Sequence, residues 1–565
     1  MPINLKTKGI GSRGIRVPVN FNSPIQTERF VITMQNASPP SLLLKRANVI
    51  TMDPSLPYAE AVFVKDGRVR LVGTGKGLHE ARSAGCRVID CGGRTVLPGF
   101  IDAHFHLQAF AESLVNVNVS PDNGVCFIAD IQTTLKKHSL SVPRGDWIRA
   151  GGYNEFYLND NRHPNRWDLD QAVPDHPVKL IHRSGHAHVL NSLALKMTGI
   201  SIKTPDPPGG LIERDIQSGE PNGQLFGMGG WLSDKIPPLD DKLLDEGIDR
   251  ANQALISAGI SAIHDASFRN DPKRCRRFQR WKAEGRLASR VSMMMGLSHT
   301  KLEPEDRQAF PPTENGIPVR GVKIMVDQTR GRLNPGRKEL NEMVLAVHKS
   351  GRQVAIHAIE QSSVEAACAA VELALKRYPG KDHRHRIEHC SECPPALARK
   401  LAELGIVVVT QPAFLYFHGQ RYLETLTPHQ LQHLYPTGTL FRNGVLTAAG
   451  SDCPIVSANP LLGVYAAVSR RTQSDETILP QERVSPLDAL KMHTIHAAQA
   501  CFREADFGSI EAGKKADLVV LDDDPTRLPI EKIKDIRVDM TIIDGEVVWE
   551  RTPDQQPPAM RATGD

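Results

Sequence analysis

The sequence predicts an α/β protein: a (β/α)8 TIM-like barrel with a small β-sandwich domain formed from both chain ends and an inserted α+β subdomain. Three features predict this fold. Eight short apolar runs alternate with helical segments, both chain ends are rich in strand-like runs, and one gap in the alternation is too long for a loop. The chain has 565 residues, of which 40% are hydrophobic and 24% charged, as in ordinary globular proteins. Length alone would equally allow three or four separate domains.

The two chain ends predict the β-sandwich domain, because short β-branched runs separated by turn residues occur at both ends. On the N-terminal side, Lys65-Asp66-Gly67 is typical of a hairpin turn between Ala61–Val64 and Arg68–Val72. On the C-terminal side, Asp544-Gly545 separates two further strand-like runs. We therefore expect one small β domain, with the central part of the chain inserted into it.

The middle of the chain predicts the barrel, because each apolar run is followed by a segment with helical spacing, such as Val364–Leu375. The candidate strands are Val96–Ala103, Gly259–His264, Arg290–Gly296, Gly321–Val326, Gln353–His357, Arg386–His389, Ile406–Gln411 and Leu446–Gly450. The chemistry of such barrels lies at the C-terminal ends of the strands. The residues that end these runs are therefore the candidate site residues.

Residues 115–240 interrupt the alternation between the first and second candidate strands. The segment contains strand-like runs at Trp147–Gly151 and Val178–His182, so it predicts a subdomain that caps the active site rather than a loop.

The predicted organisation is a flexible N-terminal extension at 1–40, the β-sandwich domain at 41–97 and 505–552, the barrel at 98–114 and 241–504, the inserted subdomain at 115–240, and a C-terminal tail at 553–565. The basic, acid-poor residues 1–40 also allow an organellar transit peptide.

The strongest local signal is His104 and His106, which end the first candidate strand. Side chains two apart on a strand share a side, and two neutral imidazoles can chelate a cation such as Zn²⁺. An isolated His-x-His pair is as often two buried histidines. The chain has 21 His, and the pairs His186/His188 and His383/His385 show that such spacing also arises by chance.

Three later strands also end in residues that can bind metal, namely His357, His389 and Asp452, and Lys323 lies on a fourth. The spacings 357 − 323 = 34 and 389 − 357 = 32 each match about one βα unit. For any one of these residues, a structural role in the core or a loop is an equally good interpretation. Agreement among all the strand ends favours a shared metal site.

In these residues and the motifs around them, the chain resembles the amidohydrolase superfamily, particularly the branch that includes N-substituted formamide deformylases. The resemblance rests on Pro98–His106, Gly185–Leu195, Gly210–Asp215, Ala258–Asp265, Val322-Lys323, Val354–His357, Arg386–His389, Gly450–Asp452 and Gly508–Val520. Together these motifs are specific for the superfamily, less so for the branch, and poorly informative about the substrate.

The resemblance implies a divalent metal, most often zinc, as one or two ions. Its ligands would be His104, His106, His357, His389 and Asp452, with a carbamate on Lys323 as a bridge between two ions. A carbamate supplies anionic oxygens where an ammonium would repel Zn²⁺. The alternative for Lys323 is an ion pair with a neighbour such as Asp327.

Two departures from the family pattern affect the predicted substrate contacts. The segment Asp327–Arg332 replaces an acidic-Gly segment and carries Arg330, which we predict to bind an anionic substrate group; two solvated surface arginines are the alternative. Ser184 stands where relatives often have an acid, two residues before His186. His186 is predicted to bind or polarise substrate as a catalytic residue, and a structural histidine in a turn is the alternative.

The implied function is metal-dependent hydrolysis of a C–N bond in a non-peptide amide, formamide or cyclic amide. A metal-activated water would attack, and Asp452 would act as proton shuttle. The alternatives are a decarboxylase, isomerase or esterase on the same fold, and a non-catalytic metal-binding protein. We expect a small-molecule substrate, and the resemblance implies a homodimer.

Bulk properties exclude several other classes of protein. A net charge of +5, without zinc-finger spacing or a long basic run, argues against nucleic-acid binding. The apolar stretches are too short to span a bilayer, so no membrane association is expected. Nine unclustered Cys argue against a secreted disulfide framework. A cytoplasmic location follows as a prediction.

Overall fold

The computed structural model describes residues 41–74, 86–299, 316–328 and 331–552. The predicted extension at 1–40, the predicted tail at 553–565 and Arg330 lie outside these residues. The predicted domain boundaries stay predictions, and the architecture below is given for the described residues.

Eight parallel strands form a nearly closed barrel, as the sequence predicts. In chain order the barrel strands are Phe100–Phe105, Ile260–Asp265, Arg290–Gly296, Val319–Met325, Val354–Ala358, Arg386–His389, Val407–Thr410 and Thr447–Ala449. Each strand pairs with the next one along the chain. The first and last strands are joined just past their ends, where the Asp452 amide donates to the His104 carbonyl at 2.8 Å. This bond brings two candidate ligands together.

Helices follow the barrel strands, and several bury one face against them. In the helix Asp241–Ser257, for example, Leu244, Ile248 and Leu255 are buried at the spacing of one helical face. The other helices are Leu107–Val115, Ile128–Ser139, Arg166–Ala172, Ser192–Thr198, Gly229–Lys235, Pro272–Ala283, Arg337–Lys349, Gln361–Arg377, Pro395–Glu403, Ala413–Thr425, Pro428–Leu431, Thr437–Arg442, Pro460–Ser469, Pro486–Met492 and Ile495–Ala500, with 3-10 turns at Pro121–Asn123, Glu155–Tyr157, Leu297–His299, Pro480–Glu482 and Ile530–Asp535. Within the described ranges, no helix is both long and apolar enough to cross a membrane.

Two sheets built from both chain ends pack on a shared apolar core. One has the strands Leu42–Lys45, Ala61–Lys65, Arg68–Gly73 and Arg87–Asp90; the other has Asn48–Ile50, Tyr58–Ala59, Thr95–Pro98, Leu518–Leu521, Val538–Ile543 and Glu546–Glu550. Leu44 and Val62 of the first sheet share one buried cluster with Val49, Leu518 and Ile542 of the second. This arrangement is the β-sandwich formed by both termini.

The predicted strand Val96–Ala103 is two strands, and the break lies at Gly99. Thr95–Pro98 pairs antiparallel with Leu518–Leu521 in the sandwich, whereas Phe100–Phe105 enters the barrel. A Cβ at Gly99 would lie 2.4 Å from the Ser261 hydroxyl, so only glycine allows the chain to pass from one sheet to the other here. The apolar run continues through the junction because both sheets bury it.

The segment between the first and second barrel strands forms an α+β unit with a six-stranded mixed sheet. Its strands are Val117–Asn118, Ile148–Tyr153, Val178–His182, Ala187–Leu190, Leu211–Arg214 and Pro221–Phe226. Strands Val178–His182 and Ala187–Leu190 are antiparallel neighbours, joined by the loop 183–186 that carries His186. The strands predicted at Trp147–Gly151 and Val178–His182 are present.

Candidate metal centre

The barrel mouth, meaning the C-terminal ends of the barrel strands, brings the predicted ligands together. The ring centres of His104 and His106 are 5.4 Å apart, those of His104 and His389 4.9 Å, and those of His357 and His389 4.4 Å. Lys323 Nζ lies 3.5 Å from His104 Nε2. We call the six residues at this point the mouth cluster: His104, His106, Lys323, His357, His389 and Asp452.

Three members of the mouth cluster are close enough to share one metal ion. One ligand atom each from His104, His106 and Asp452 lies within 4.8 Å of the others. Asp452 Oδ1 is 2.8 Å from His106 Nε2 and 3.5 Å from His104 Nε2. Two imidazoles and a carboxylate are a donor set that suits zinc and other divalent transition metals.

Outer partners hold the Nδ1 atoms of three histidines, which leaves each Nε2 for a ligand. His104 Nδ1 contacts the Glu388 carboxylate, His106 Nδ1 lies 2.9 Å from Ser267 Oγ, and His389 Nδ1 lies 2.7 Å from Gln411 Oε1. Metal-binding histidines usually have such a partner on the other ring nitrogen, because it fixes the tautomer and the ring orientation. The orientations in this cluster therefore fit a metal.

Glu388 is itself held by a buried arginine. The Arg386 guanidinium contacts both Glu388 carboxylate oxygens and donates to the Ala103 carbonyl at 2.7 Å. Burial alone would raise the pKa of Glu388, but the Arg386 charge and the contact with His104 hold that pKa well below its ordinary value. An ionised Glu388 accepts a hydrogen bond from His104 Nδ1–H, so His104 presents a lone pair at Nε2.

Burial favours the neutral form of His104, His357 and His389, which is the form that binds metal. Burial, with a smaller contribution from the Lys323 charge, lowers the pKa of His104 to about 3. The pKa of His357 falls well below its ordinary value because of burial and the neighbouring His389. Asp452 remains ionised, since the three nearby histidines His104, His106 and His389 lower its pKa more than burial raises it.

Lys323 is almost fully buried at 2% exposure, and its Nζ contacts His104. Burial lowers the pKa of Lys323 to about 8, and the Glu388 and Asp452 charges limit that shift. A lowered pKa increases the fraction of neutral amine at neutral pH. The neutral amine is the form that can react with CO2 to give a carbamate.

The backbone is left-handed at two members of the cluster. His389 has φ +71° and Asp452 has φ +58°, and neither is glycine. Such conformations are uncommon for these residue types and concentrate at functional sites. The left-handed turn ends the strand at His389 and lets adjacent residues Glu388 and His389 both face the cluster, which simple alternation along a strand would not allow.

His186 lies outside the buried cluster. It is exposed, in the loop that joins two strands of the inserted unit, and its charge contributes to lowering the pKa of His357. The loop also approaches the segment that follows the last barrel strand, because a Cβ at Gly185 would lie 3.9 Å from Ile455 Cδ1. His186 is therefore near the mouth cluster without belonging to it.

Two further carboxylates, Asp265 and Asp102, support the site. Asp265 accepts from the Leu107 and Ser267 amides, at 2.7 and 3.0 Å, so it fixes the chain on both sides of His106. Asp102 accepts from the His104 and Ser451 amides, each at 3.1 Å, and burial raises its pKa to about 7. From the sequence, Asp265 and Asp102 are recognisable only as carboxylates near strand ends.

Known proteins match this chain over most of its length. The model of the amidohydrolase family matches residues 87–549. An N-substituted formamide deformylase from Arthrobacter pascens is 30% identical, with 90% of this chain and 98% of the relative covered. A putative amidohydrolase from Bacillus subtilis is 28% identical, covering 89% of this chain and 98% of its own length.

Solved structures agree with the fold. An uncharacterized metal-dependent hydrolase from Pyrococcus furiosus superposes with a TM-score of 0.68 at 25% identity, covering 86% of this chain and 100% of that one. A second such protein, from Pyrococcus horikoshii, gives a TM-score of 0.70 at 21% identity, covering 87% and 99%. The barrel with its additional sheets is thus a known arrangement.

Proposed function

The chain belongs to the amidohydrolase family and is a hydrolase of carbon–nitrogen bonds other than peptide bonds; from this premise we propose that it cleaves a small amide, formamide or cyclic amide in a metal-dependent reaction. The observation that carries the proposal is the group of His104, His106 and Asp452, whose ligand atoms lie within 4.8 Å at the barrel mouth. The deformylase relative supports a formamide or a similar amide as the substrate class.

The mouth cluster supplies the ligands in this proposal. His104, His106, His357, His389 and Asp452 hold one or two divalent ions, most often zinc, and Lys323 joins them as a carbamate. A bound divalent metal polarises a carbonyl and lowers the pKa of water, which is the chemistry this reaction requires. Imidazoles with Nδ1 atoms held by Glu388, Ser267 and Gln411 support this assignment.

Asp452 is the proton shuttle in the proposed reaction. Its side chain is 12% exposed, so it is accessible from the mouth, and its pKa lies below the ordinary value, so it is a carboxylate at neutral pH. It takes a proton from the attacking water as the new C–O bond forms. It then delivers that proton to the leaving nitrogen as the C–N bond breaks, which returns Asp452 to its ionised form.

His186 is the proposed substrate contact from the inserted unit. An imidazole on the loop 183–186 can donate a hydrogen bond to the carbonyl oxygen while that oxygen gains negative charge. Its exposure and its influence on His357 support a position from which it can reach a bound substrate.

Removal of metal tests the proposed reaction directly. We expect a strong chelator to abolish hydrolysis of a panel of small formamides, amides and cyclic amides, and Zn²⁺, Mn²⁺ or Co²⁺ to restore it. Esters and aromatic acids in the same panel distinguish amide hydrolysis from esterase or decarboxylase chemistry. Full amide hydrolysis after verified loss of metal would show that the mouth cluster does not act through a metal.

A further inference from the structure

Arg183 is a guanidinium near the barrel mouth, and no carboxylate of the described residues forms an ion pair with it. It begins the loop 183–186, and its Nη1 lies 2.7 Å from His418 Nε2 and 3.0 Å from Nδ1, so Nη1–H donates to one of these two nitrogens. Its Nε is buried and has no hydrogen-bond partner. A buried unpartnered N–H is costly in a folded protein, and a ligand that accepts from Nε would remove that cost.

The carboxylate with the strongest influence on Arg183 is engaged by other side chains. Arg421 and Glu155 are the charged groups that act most strongly on Arg183. The Glu155 carboxylate lies 2.6 Å from His182 Nε2 and 3.3 Å from an Arg421 nitrogen. Burial lowers the pKa of His418 to about 3, so its ring is neutral and adds no charge. Neither neighbour therefore gives Arg183 an anion of its own.

The position of Arg183 connects it to the proposed catalytic site. It precedes His186 by three residues on the same loop, and Gly185 between them approaches Ile455, three residues beyond Asp452. On the other side, His418 belongs to the helix Ala413–Thr425, which follows the seventh barrel strand. Arg183 therefore lies between the inserted unit and the barrel, beside the loop that faces the mouth cluster.

Aromatic side chains surround the His418 ring. The ring centres of Phe414 and Tyr422 lie 5.1 and 6.2 Å from that of His418, and Tyr435 lies 6.1 Å from Tyr422. The Tyr435 amide donates to the Ser391 carbonyl at 2.7 Å, and Ser391 lies two residues beyond His389, so this aromatic group extends towards the mouth cluster. Phe414, Tyr435 and His418 are buried, so the group is a packed layer between Arg183 and the proposed metal ligands.

We propose that Arg183 binds the carboxylate of an anionic substrate, so that the amide cleaved at the mouth cluster belongs to a molecule that also carries a carboxylate. This inference rests on the proposed function and narrows its substrate class. The planar guanidinium fork, whose Nε–H has no partner, matches the two oxygens of a carboxylate.

Binding of small ligands tests the subsite without requiring turnover. The probes are phenylacetate and phenylacetamide, which differ in charge but share an apolar ring, and phenyl phosphate, which carries a dianion. Binding to the metal-loaded protein is measured by calorimetry for the wild type and for Arg183→Gln. Arg144→Gln is the matched control, since Arg144 is an exposed, ion-paired arginine of the same inserted unit.

We expect phenylacetate to bind wild type at least about tenfold more tightly than phenylacetamide, because an ion-paired hydrogen bond is stronger than a neutral one. Arg183→Gln removes that preference, and Arg144→Gln keeps it. Arg183→Lys keeps the charge but loses the fork, so it restores only part of the preference. Thermal midpoints of all variants verify folding.

Three results would overturn the subsite. They are equal phenylacetate affinity in wild type and Arg183→Gln, absence of phenylacetate binding to folded wild type, and an Arg183-dependent preference for phenyl phosphate over phenylacetate. Failure of the subsite and failure of the proposed function give different results. If the protein hydrolyses neutral amides with metal but binds no carboxylate, the subsite alone is rejected. If it binds a carboxylate through Arg183 but hydrolyses no amide with metal, the proposed function alone is rejected.

Discussion

The barrel carries a histidine cluster at each end, and the two clusters differ in how their ring nitrogens are used. At the mouth, His104, His106 and His389 each have Nδ1 held by an outer partner. At the opposite end, His348, His383 and His385, which we call the base cluster, have both ring nitrogens engaged within the protein. The residue type is the same in the two clusters, so the difference lies in how the second ring nitrogen, Nε2, is used.

The rings of the base cluster bond to one another and to backbone groups. His385 Nδ1 accepts from the Val354 amide at 3.0 Å, and its Nε2 lies 2.8 Å from His348 Nδ1. His348 Nε2 reaches the Tyr378 carbonyl at 2.7 Å. His383 is likewise bonded through Nδ1 to the His385 amide and through Nε2 to the Leu404 carbonyl. Each ring is satisfied, so this cluster has a structural role.

Asp452→Asn should give the largest effect of a single substitution. Asn keeps the shape and a weak oxygen ligand but cannot take a proton, and a positioned acid–base group contributes about 10²–10⁴-fold to a rate. We expect kcat to fall by that factor while the protein keeps its fold and at least one metal ion. Metal content, thermal midpoint and kcat are measured on one preparation. Normal metal and folding with kcat within about threefold of wild type would remove Asp452 from the chemistry.

Glu388→Gln should have a smaller effect, through metal affinity. Without the carboxylate, His104 loses the partner that fixes its tautomer, and loss of such partners typically costs about 10–100-fold in metal affinity or activity. Competition with a chelating dye measures the affinity. Glu482→Gln is the control, since Glu482 is also buried but bonds Thr439. Equal metal affinity in Glu388→Gln and wild type would show that Glu388 does not position His104.

His385→Phe should affect stability alone. Phe keeps a ring but leaves the Val354 amide without its acceptor, and an unsatisfied buried group costs about 1–3 kcal/mol. We expect a lower thermal midpoint, with metal content and kcat of the folded protein unchanged. A loss of metal in a variant that remains folded would mean that the two clusters are not independent.

The order of barrel strands could be predicted from the sequence because each buried parallel strand is an apolar run with a helical segment after it. Arg290–Gly296 and Arg386–His389 are predicted to the residue. The junction at Gly99 could not be predicted, because the apolar run continues unchanged from the sandwich into the barrel. What separates the two strands is the close approach of Ser261, a long-range contact.

Part of the site could be predicted because its ligands lie at the ends of apolar strands, which are recognisable in the sequence. The structure brings His104, His106 and Asp452 to one point. Their outer partners are not visible, because Ser267 lies 161 residues from His106 and Glu388 lies 284 residues from His104. Arg183 was missed because an arginine in a loop resembles any solvated arginine until its neighbours are known.

Metal content of matched double variants tests the difference between the two ends of the barrel most directly. We expect wild type purified with Zn²⁺ to hold one or two ions per chain, and His383→Asn combined with His385→Asn to keep that content in the folded fraction. His104→Asn combined with His106→Asn should lose most of it, because two of the proposed ligands are replaced. Full metal content in the folded His104/His106 variant, or equal loss in the His383/His385 variant, would contradict the assignment of the metal to the mouth cluster.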